Sequence, residues 1–308
     1  MSNTKEIKKR IESVKNTQKI TNAMYLISST KMRKAKSELD KTRPYFNALQ
    51  GEIKRIFKTA KSVESVYFES VDRHAEDKER SAILVITADK GLAGAYNQNV
   101  IKEAEALMSR HKSSKLFVVG EYGRQFCLQH HIHMDKTFLY TAKNPTMQRA
   151  REIAAFLLNL FDTGAADRIY MIYTDLKNGI QEEAISTRLL PIRKKQFESS
   201  DTDTPANTDF EFQPDAETLL KTVIPGYLSG FIYSALVDSF CSEQNARMTA
   251  MKAANDNAEK LLNALNLEYN LVRQAAITQE ITEVTSGAKA QKRKRIKEKQ
   301  NNEHRKNS

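Results

Sequence analysis

Cysteine, proline and glycine are all scarce in this chain of 308 residues. The only two cysteines, Cys127 and Cys241, lie far apart, so they supply neither a closely spaced metal knuckle nor a disulfide framework. A reducing compartment is the simpler reading. Six prolines and ten glycines exclude a collagen-like, linker-dominated or turn-rich all-β protein and favour long helices. There is no uninterrupted apolar run long enough for a bilayer, so the chain is not expected to cross a membrane by itself. The N-terminal MSNTKEIKKRIESVKNTQKI lacks the apolar centre of a secretory signal. What remains, at 40% hydrophobic residues, is ample for a core and excludes wholesale disorder. The length accommodates two domains, or one domain with a long accessory element.

The formal net charge of +11 is unevenly spread. Residues 1–43 hold twelve Lys+Arg against four Asp+Glu, a net +8, and residues 289–308 hold nine against two, a net +7. The remaining residues are mildly acidic, at −4. Two basic ends around an acidic middle point to acidic partners at the ends and not to a uniformly basic nucleic-acid-binding domain. Solvated helix faces are the competing explanation.

From Ile7 onward, steps of four and three reach Ile7, Ile11, Val14, Gln18, Thr21, Tyr25, Ser28, Met32, Ala35, Leu39, Thr42, Phe46, Leu49, Ile53, Ile56 and Ala60. Twelve of these sixteen are apolar. A repeat of 3.5 residues keeps one helix face toward a partner along its length, so this segment needs a helical mate. Pro44 is expected to kink or break the helix. After a polar boundary at 61–80, Ser81–Thr87 reads as a strand, Asn99–Arg110 as a helix, Lys115–Val119 as a strand, Thr137–Tyr140 as a short strand, Met147–Phe161 as a helix and Arg168–Thr174 as a strand. Ala184–Ile192 reads as an edge strand. Alternation of this kind predicts a mostly parallel sheet covered by helices.

From Ala216 helical character returns for some seventy residues. Met251, Ala254, Ala258, Leu261, Leu265, Val272 and Ala275 form a three-four seam with Glu268 as its exception, and this is the mate of the first helix. The fold class is therefore α/β: a long antiparallel coiled coil of N- and C-terminal helices with an inserted, mostly parallel three-layer α/β domain. The expected divisions are an N-terminal coiled-coil helix at 1–60, the inserted domain at 81–192, an exposed loop at 193–209, a C-terminal coiled-coil helix at 210–287 and a basic tail at 288–308.

Catalytic motifs fail on spacing. The strand-following loop has Gly91-x-x-Gly94 without the lysine of a Walker loop or the third glycine of a dinucleotide fingerprint, and reads as a tight structural turn. His130, His131 and His133 lack an acidic or thiol ligand at zinc spacing and read as surface histidines. No nucleophile elbow or paired Cys/His arrangement is present. No catalytic, cofactor-binding or metal-binding residue is assigned, and no cofactor is expected.

Three segments carry a resemblance. Residues 9–36, KRIESVKNTQKITNAMYLISSTKMRKAK, and 243–284, EQNARMTAMKAANDNAEKLLNALNLEYNLVRQAAITQEITEV, resemble the terminal motifs of the gamma subunit of rotary F-type ATP synthases. TADKGLAGAYN at 87–97 resembles the loop after the first strand of that family's inserted domain. The resemblance implies a non-catalytic, single-copy central stalk that couples transmembrane proton or sodium flow to ATP synthesis and hydrolysis. The implied partners are the alpha and beta subunits of the catalytic ring, the epsilon subunit and the membrane c-ring, with no stable nucleic-acid partner. The implied location is peripheral, on the cytoplasmic face of the bacterial plasma membrane.

The resemblance also implies contact and coupling residues. Met24 matches a methionine near a lever loop of the catalytic subunit. Arg247, Gln274, Thr278 and Glu280 match polar residues around the catch between rotor and ring. Lys19, Lys31, Arg33 and Lys34 would face acidic segments of the ring. Helix filler and solvent-facing surface are the competing readings of Met24, Gln274 and Thr278. The chain departs from the family pattern at Ala93, in the acidic 198–209 stretch, and in the charged extension QKRKRIKEKQNNEHRKNS. The alternative function is a basic coiled-coil protein bound to nucleic acid or the ribosome, with KRKRIK contacting phosphates.

Overall fold

The computed structural model describes residues 4–59, 66–68, 80–177, 181–193 and 215–306. The expected exposed loop at 193–209 falls almost wholly outside them. Among the described residues the elements follow in the order α1 (Thr4–Thr59), β1 (Ser81–Ile86), α2 (Tyr96–Arg110), β2 (Ser114–Val119), α3 (Glu121–Gln129), α4 (Met147–Asp162), β3 (Arg168–Lys177), β4 (Gln181–Leu190) and α5 (Ala216–Lys306). They divide into two compact units, Met1–Ala23 with Lys252–Ser308, and Met24–Met251.

In the larger unit the strand order is β2-β1-β3-β4. β1 runs parallel to both β2 and β3, whereas β3 and β4 are antiparallel, so the sheet is mixed. All six residues of β1 are buried, as befits a central strand covered on both faces. Its alternation divides two cores. Ala82, Leu84 and Ile86 join Phe117, Met171, Ile153 and Leu157 on the face packed by α4 and by the helical residues Leu39, Ile53, Leu220 and Ile232. Ile83 and Val85 join Val100, Leu107, Val118 and Cys127 on the face covered by α2 and α3. These are the three layers.

Two readings change here. Thr137–Tyr140 contributes a single bridge, Val119 to Tyr140, and not a strand. Asp135 Oδ1 accepts from Thr137 N at 2.8 Å and Phe138 N at 3.2 Å, which turns the chain away from a ladder. The short helix α3 went unread, because nine residues are too few to show a helical period.

α1 does not break at Pro44. A proline inside a helix costs about 3 kcal/mol, and burial of the nearby Leu39, Ile53 and Ile56 offsets this. All fifteen described seam positions from Ile7 to Ile56 are buried or half-buried. Within the larger unit α5 runs opposite to α1: Cys241 Sγ approaches Met32 O at 3.8 Å, Phe46 packs over Gly230, and Leu49 lies 3.4 Å from a Cβ placed on Gly226. α5 is the one described helix apolar enough by length and composition to cross a bilayer, and 56% of that window is buried inside the fold, as in a core helix.

In the smaller unit Ile7, Ile11 and Val14 pack with Leu262, Leu265, Tyr269 and Val272. The α5 seam is therefore Met251, Asn255, Ala258, Leu262, Leu265, Tyr269 and Val272, all buried or half-buried. Leu261 and Ala275, expected in the seam, are exposed. Both spacings fit the apolar residues; the observed one needs no exception at Glu268, and it admits Asn255 because Thr21 faces it.

Candidate partner-contact surface

Lys19, Lys31, Arg33 and Lys34 lie between the seam positions of α1 and are exposed. Met24, one residue before Tyr25 of the seam, is half-buried. A coiled coil spends only its seam on the partner helix, which leaves such intervening residues to solvent or to other proteins.

Gln274, Thr278 and Glu280 are also exposed. They lie beyond Val272, the last α5 residue packed with the start of α1. From Arg273 to Arg295 every side chain is exposed, and the helix stays satisfied by itself. Thr278 Oγ1 donates to Gln274 O at 2.9 Å, Thr282 Oγ1 to Thr278 O at 2.7 Å and Thr285 Oγ1 to Ile281 O at 2.6 Å. Each hydroxyl is thus spent on its own helix. Ile277, Ile281 and Val284 are 49%, 62% and 73% exposed beside them. The surface is long and mixed: an apolar stripe at Ile277, Ile281 and Val284 with self-bonded threonines beside it, between exposed polar and charged residues.

Arg247 is placed differently. It is buried, and its Nη1 contacts Glu243 Oε1 at 2.6 Å. Its Nη2 donates to Gly91 O at 3.1 Å and reaches Lys90 O at 3.4 Å. Burial pushes the Glu243 carboxyl above the usual carboxylate range, while the Arg247 guanidinium pulls it back, with smaller influences from Asp89 and Lys31. Arg247 and Lys31 therefore share one neighbourhood around Glu243. The guanidinium suits this place because its planar fork serves a carboxylate and carbonyls together.

The loop that Arg247 grips is held from below as well. Asp89 accepts from the backbone N–H groups of Glu121 and Ala142, each at 3.1 Å, and Lys143 at 3.2 Å. Asn97 Oδ1 accepts from Ala88 N at 3.0 Å. Thr87 Oγ1 accepts from Gly123 N at 3.0 Å, and a Cβ at Gly120, where φ is +97°, would lie 2.2 Å from Thr87 O. Only glycine fits such an approach. Thr87, Asp89 and Asn97 are thus engaged in structure, and among the described residues no group of three or more His, Cys, Asp or Glu is placed to hold a metal ion.

Sequence reasoning missed Leu92, which is 65% exposed at φ +64°, and the exposed Ile277, Ile281 and Val284. The apolar residues of 277–284 were visible as a second helical stripe. Leu92 gave no signal, because a leucine in sequence does not announce a left-handed backbone.

Long helices with exposed surfaces that carry an inserted α/β domain are the build of an assembly subunit. The comparisons make the class specific. Residues 3–291 match the family described as ATP synthase. The ATP synthase gamma chain of Caldanaerobacter subterraneus subsp. tengcongensis is 41% identical over 292 residues, covering 92% of this chain and 98% of that one. The sodium ion specific ATP synthase gamma chain of Acetobacterium woodii is 35% identical over 302 residues, covering 94% and 98%. In structure the fold resembles the rotor of Euglena gracilis mitochondrial ATP synthase, with a TM-score of 0.62 at 17% identity, covering 89% of this chain and 98% of that one. The chain belongs to the ATP synthase gamma-chain family, the central-stalk component of a multisubunit enzyme. None of these findings supports the nucleic-acid alternative.

Proposed function

We propose that this chain is the non-catalytic rotating shaft of its ATP synthase, present in one copy and turning inside a ring of alpha and beta subunits. The observation that carries this reading is the surface from Arg273 to Arg295. A helix stretch packed on no other element among the described residues, with Ile277, Ile281 and Val284 exposed and threonine hydroxyls turned back on its own carbonyls, suits a contact that must slide. Fixed hydrogen bonds to a partner would have to break at each step, whereas apolar contact is non-directional.

The mechanism follows from symmetry. One asymmetric chain cannot present the same surface to three identical catalytic subunits, so it biases each toward a different state. Rotation passes those biases around the ring. Lys19, Lys31, Arg33 and Lys34 offer positive charge to acidic ring segments, giving orientation more than raw affinity. Met24, Gln274, Thr278 and Glu280 touch the ring directly, and Arg247 lies at the catch through the loop it holds. The opposite end engages the epsilon subunit and the membrane c-ring. Flow of protons, or of sodium ions as the name of the Acetobacterium woodii relative suggests, turns the shaft from the cytoplasmic face of the bacterial plasma membrane.

Co-purification tests this. The chain is expected in one copy with three alpha–beta pairs, and ATP hydrolysis by that complex should be sensitive to a blocked membrane rotor. Three symmetric copies, or hydrolysis by the isolated chain, would sink the proposal.

A further inference from the structure

We propose that a cleft between α1, α4 and α5 in the larger unit binds a small apolar carboxylic acid, an aryl or short alkyl body ending in one carboxylate, with Arg151 as the group that takes the charge. Such a site belongs to the chain itself, whether or not the chain turns.

The cleft measures about 320 Å³, within the range of about 300–1,000 Å³ that small-molecule sites occupy. Its floor is apolar. Ala154 and Leu158 of α4 are buried there, and Met147, Pro225 and Gly226 are half-buried. The buried Ser229 hydroxyl donates to Pro225 O at 2.6 Å, so it is already satisfied within α5 and asks nothing polar of a ligand.

Two polar side chains stand at the rim. Tyr45 of α1 is exposed and sets its ring edge-on to Phe46, with centroids 5.4 Å apart. Arg151 of α4 is exposed as well, and among the described residues it makes no ion pair or hydrogen bond. Arg149, two positions earlier, spends its Nη1 on the carbonyls of Thr141 and Lys143 at 3.1 and 2.7 Å. Arg151 is therefore the available cation. It alone among the lining residues carries a charge, which selects a single anionic group over a polyphosphate. A guanidinium fork at the edge of an apolar hollow matches a planar carboxylate, and the hollow takes the apolar body.

The position gives binding a structural consequence. Pro225 lacks the N–H that the Lys221 carbonyl would take, and Pro44, beside Tyr45, lacks the one for Asp40. Each long helix is short of a rung where the cleft opens, and a bound acid braces α4 against both.

Titration calorimetry and thermal melts of the purified full-length chain with phenylbutyrate test the site. The dissociation constant should be on the order of 1 mM or tighter, and saturation should raise the melting temperature. Arg151→Ala should weaken phenylbutyrate about tenfold, as loss of a charge-assisted pair does, and leave the neutral phenylbutanol unaffected. Ala155→Phe, at an exposed position on the mouth, should block both compounds while melting like the wild type in their absence. Butyrate, which has the charge without the ring, should bind at least about tenfold more weakly than phenylbutyrate. No saturable binding of phenylbutyrate to the unmodified chain would overturn the site, as would full-strength binding to a folded Ala155→Phe chain. Equal losses of acid and alcohol in Arg151→Ala, or no loss of either, would overturn the role of Arg151, and butyrate binding as tightly as phenylbutyrate would overturn the apolar body. Where a variant misfolds, azidophenylbutyrate cross-linked to the unmodified chain decides: attachment within 147–158 or 225–229 supports the cleft, and attachment elsewhere overturns it.

Discussion

Thr21 and Asn255 face each other across the helix pair, with Thr21 Oγ1 in hydrogen-bond contact with Asn255 Oδ1. A polar rung that pairs across a mainly apolar seam favours one register over its neighbours at some cost in stability. Asn255→Leu leaves Thr21 its own helix carbonyls, Gln18 O at 3.0 Å and Thr17 O at 3.2 Å, so nothing is orphaned. The variant is expected to melt at or above the wild-type temperature and to populate a shifted register. Distances between probes at Val14 and Leu262 should then become bimodal; a single unchanged distance would count against the role.

Phe46 of α1 lies directly over Gly230 of α5 in the larger unit. A Cβ there would sit 2.0 Å from Phe46 Cδ1, and Phe46 itself packs against Tyr233 with ring centroids 6.3 Å apart. Gly230→Ala is expected to cost about 1–3 kcal/mol by overpacking. Adding Phe46→Leu should recover part of the loss in a thermal melt, which an unrelated helix-propensity effect would not.

Arg247→Ala would leave Glu243 buried and without its cation, a loss of about 3–5 kcal/mol. Replacing Glu243 by Gln in the same chain should restore much of this in chemical denaturation. Gln274→Ala, on an exposed position, should stay within about 0.5 kcal/mol, so its effect belongs to coupling measured in the assembled complex.

Burial, with Asp175 nearby, pushes the Asp238 carboxyl from its ordinary value of 3.8 up to about 6, against the pull of the Ser234 hydroxyl and Arg43. Between these two values the folded chain holds more protons than the unfolded one, so stability falls as pH rises through roughly 4 to 6. The penalty is fully present above the folded value and absent below the unfolded one. Asp238→Asn should raise the unfolding free energy at pH 8 by on the order of 1–3 kcal/mol, and do little at pH 3.5. An equal gain at both pH values would refute the assignment.

The charged residues after 291 lie beyond the stretch that matches the family, and α5 continues helical through Lys306. Deleting 289–308 is expected to leave assembly with the ring intact, as judged by co-purification. A truncated chain that no longer assembles would show that the extension is part of the bearing.

Much of this was legible in residue spacing. The α1 seam is observed at all fifteen described positions, because a 3.5-residue repeat sustained over so many turns admits one face only. β1 was legible as a compact apolar run, and the terminal motifs carried the family. The α5 seam was not, since apolar residues at 261, 262 and 265 fit two stripes and only contact with Ile7 and Ile11 selects between them. Arg247 was placed with Gln274 and Thr278 on the strength of the resemblance, yet it is buried against a loop more than 150 positions earlier in the chain.

The amino-acid order by itself determined that two long helices must pair around an inserted α/β domain, for periodicity and strand length are local properties that any segment carries with it. Tertiary structure alone decided how far α5 runs past the start of α1, which of its stripes is covered, and that Arg247 faces inward while Leu92 faces out. Those outcomes depend on the offset between distant segments, which is fixed by where their side chains fit together and by nothing within either segment.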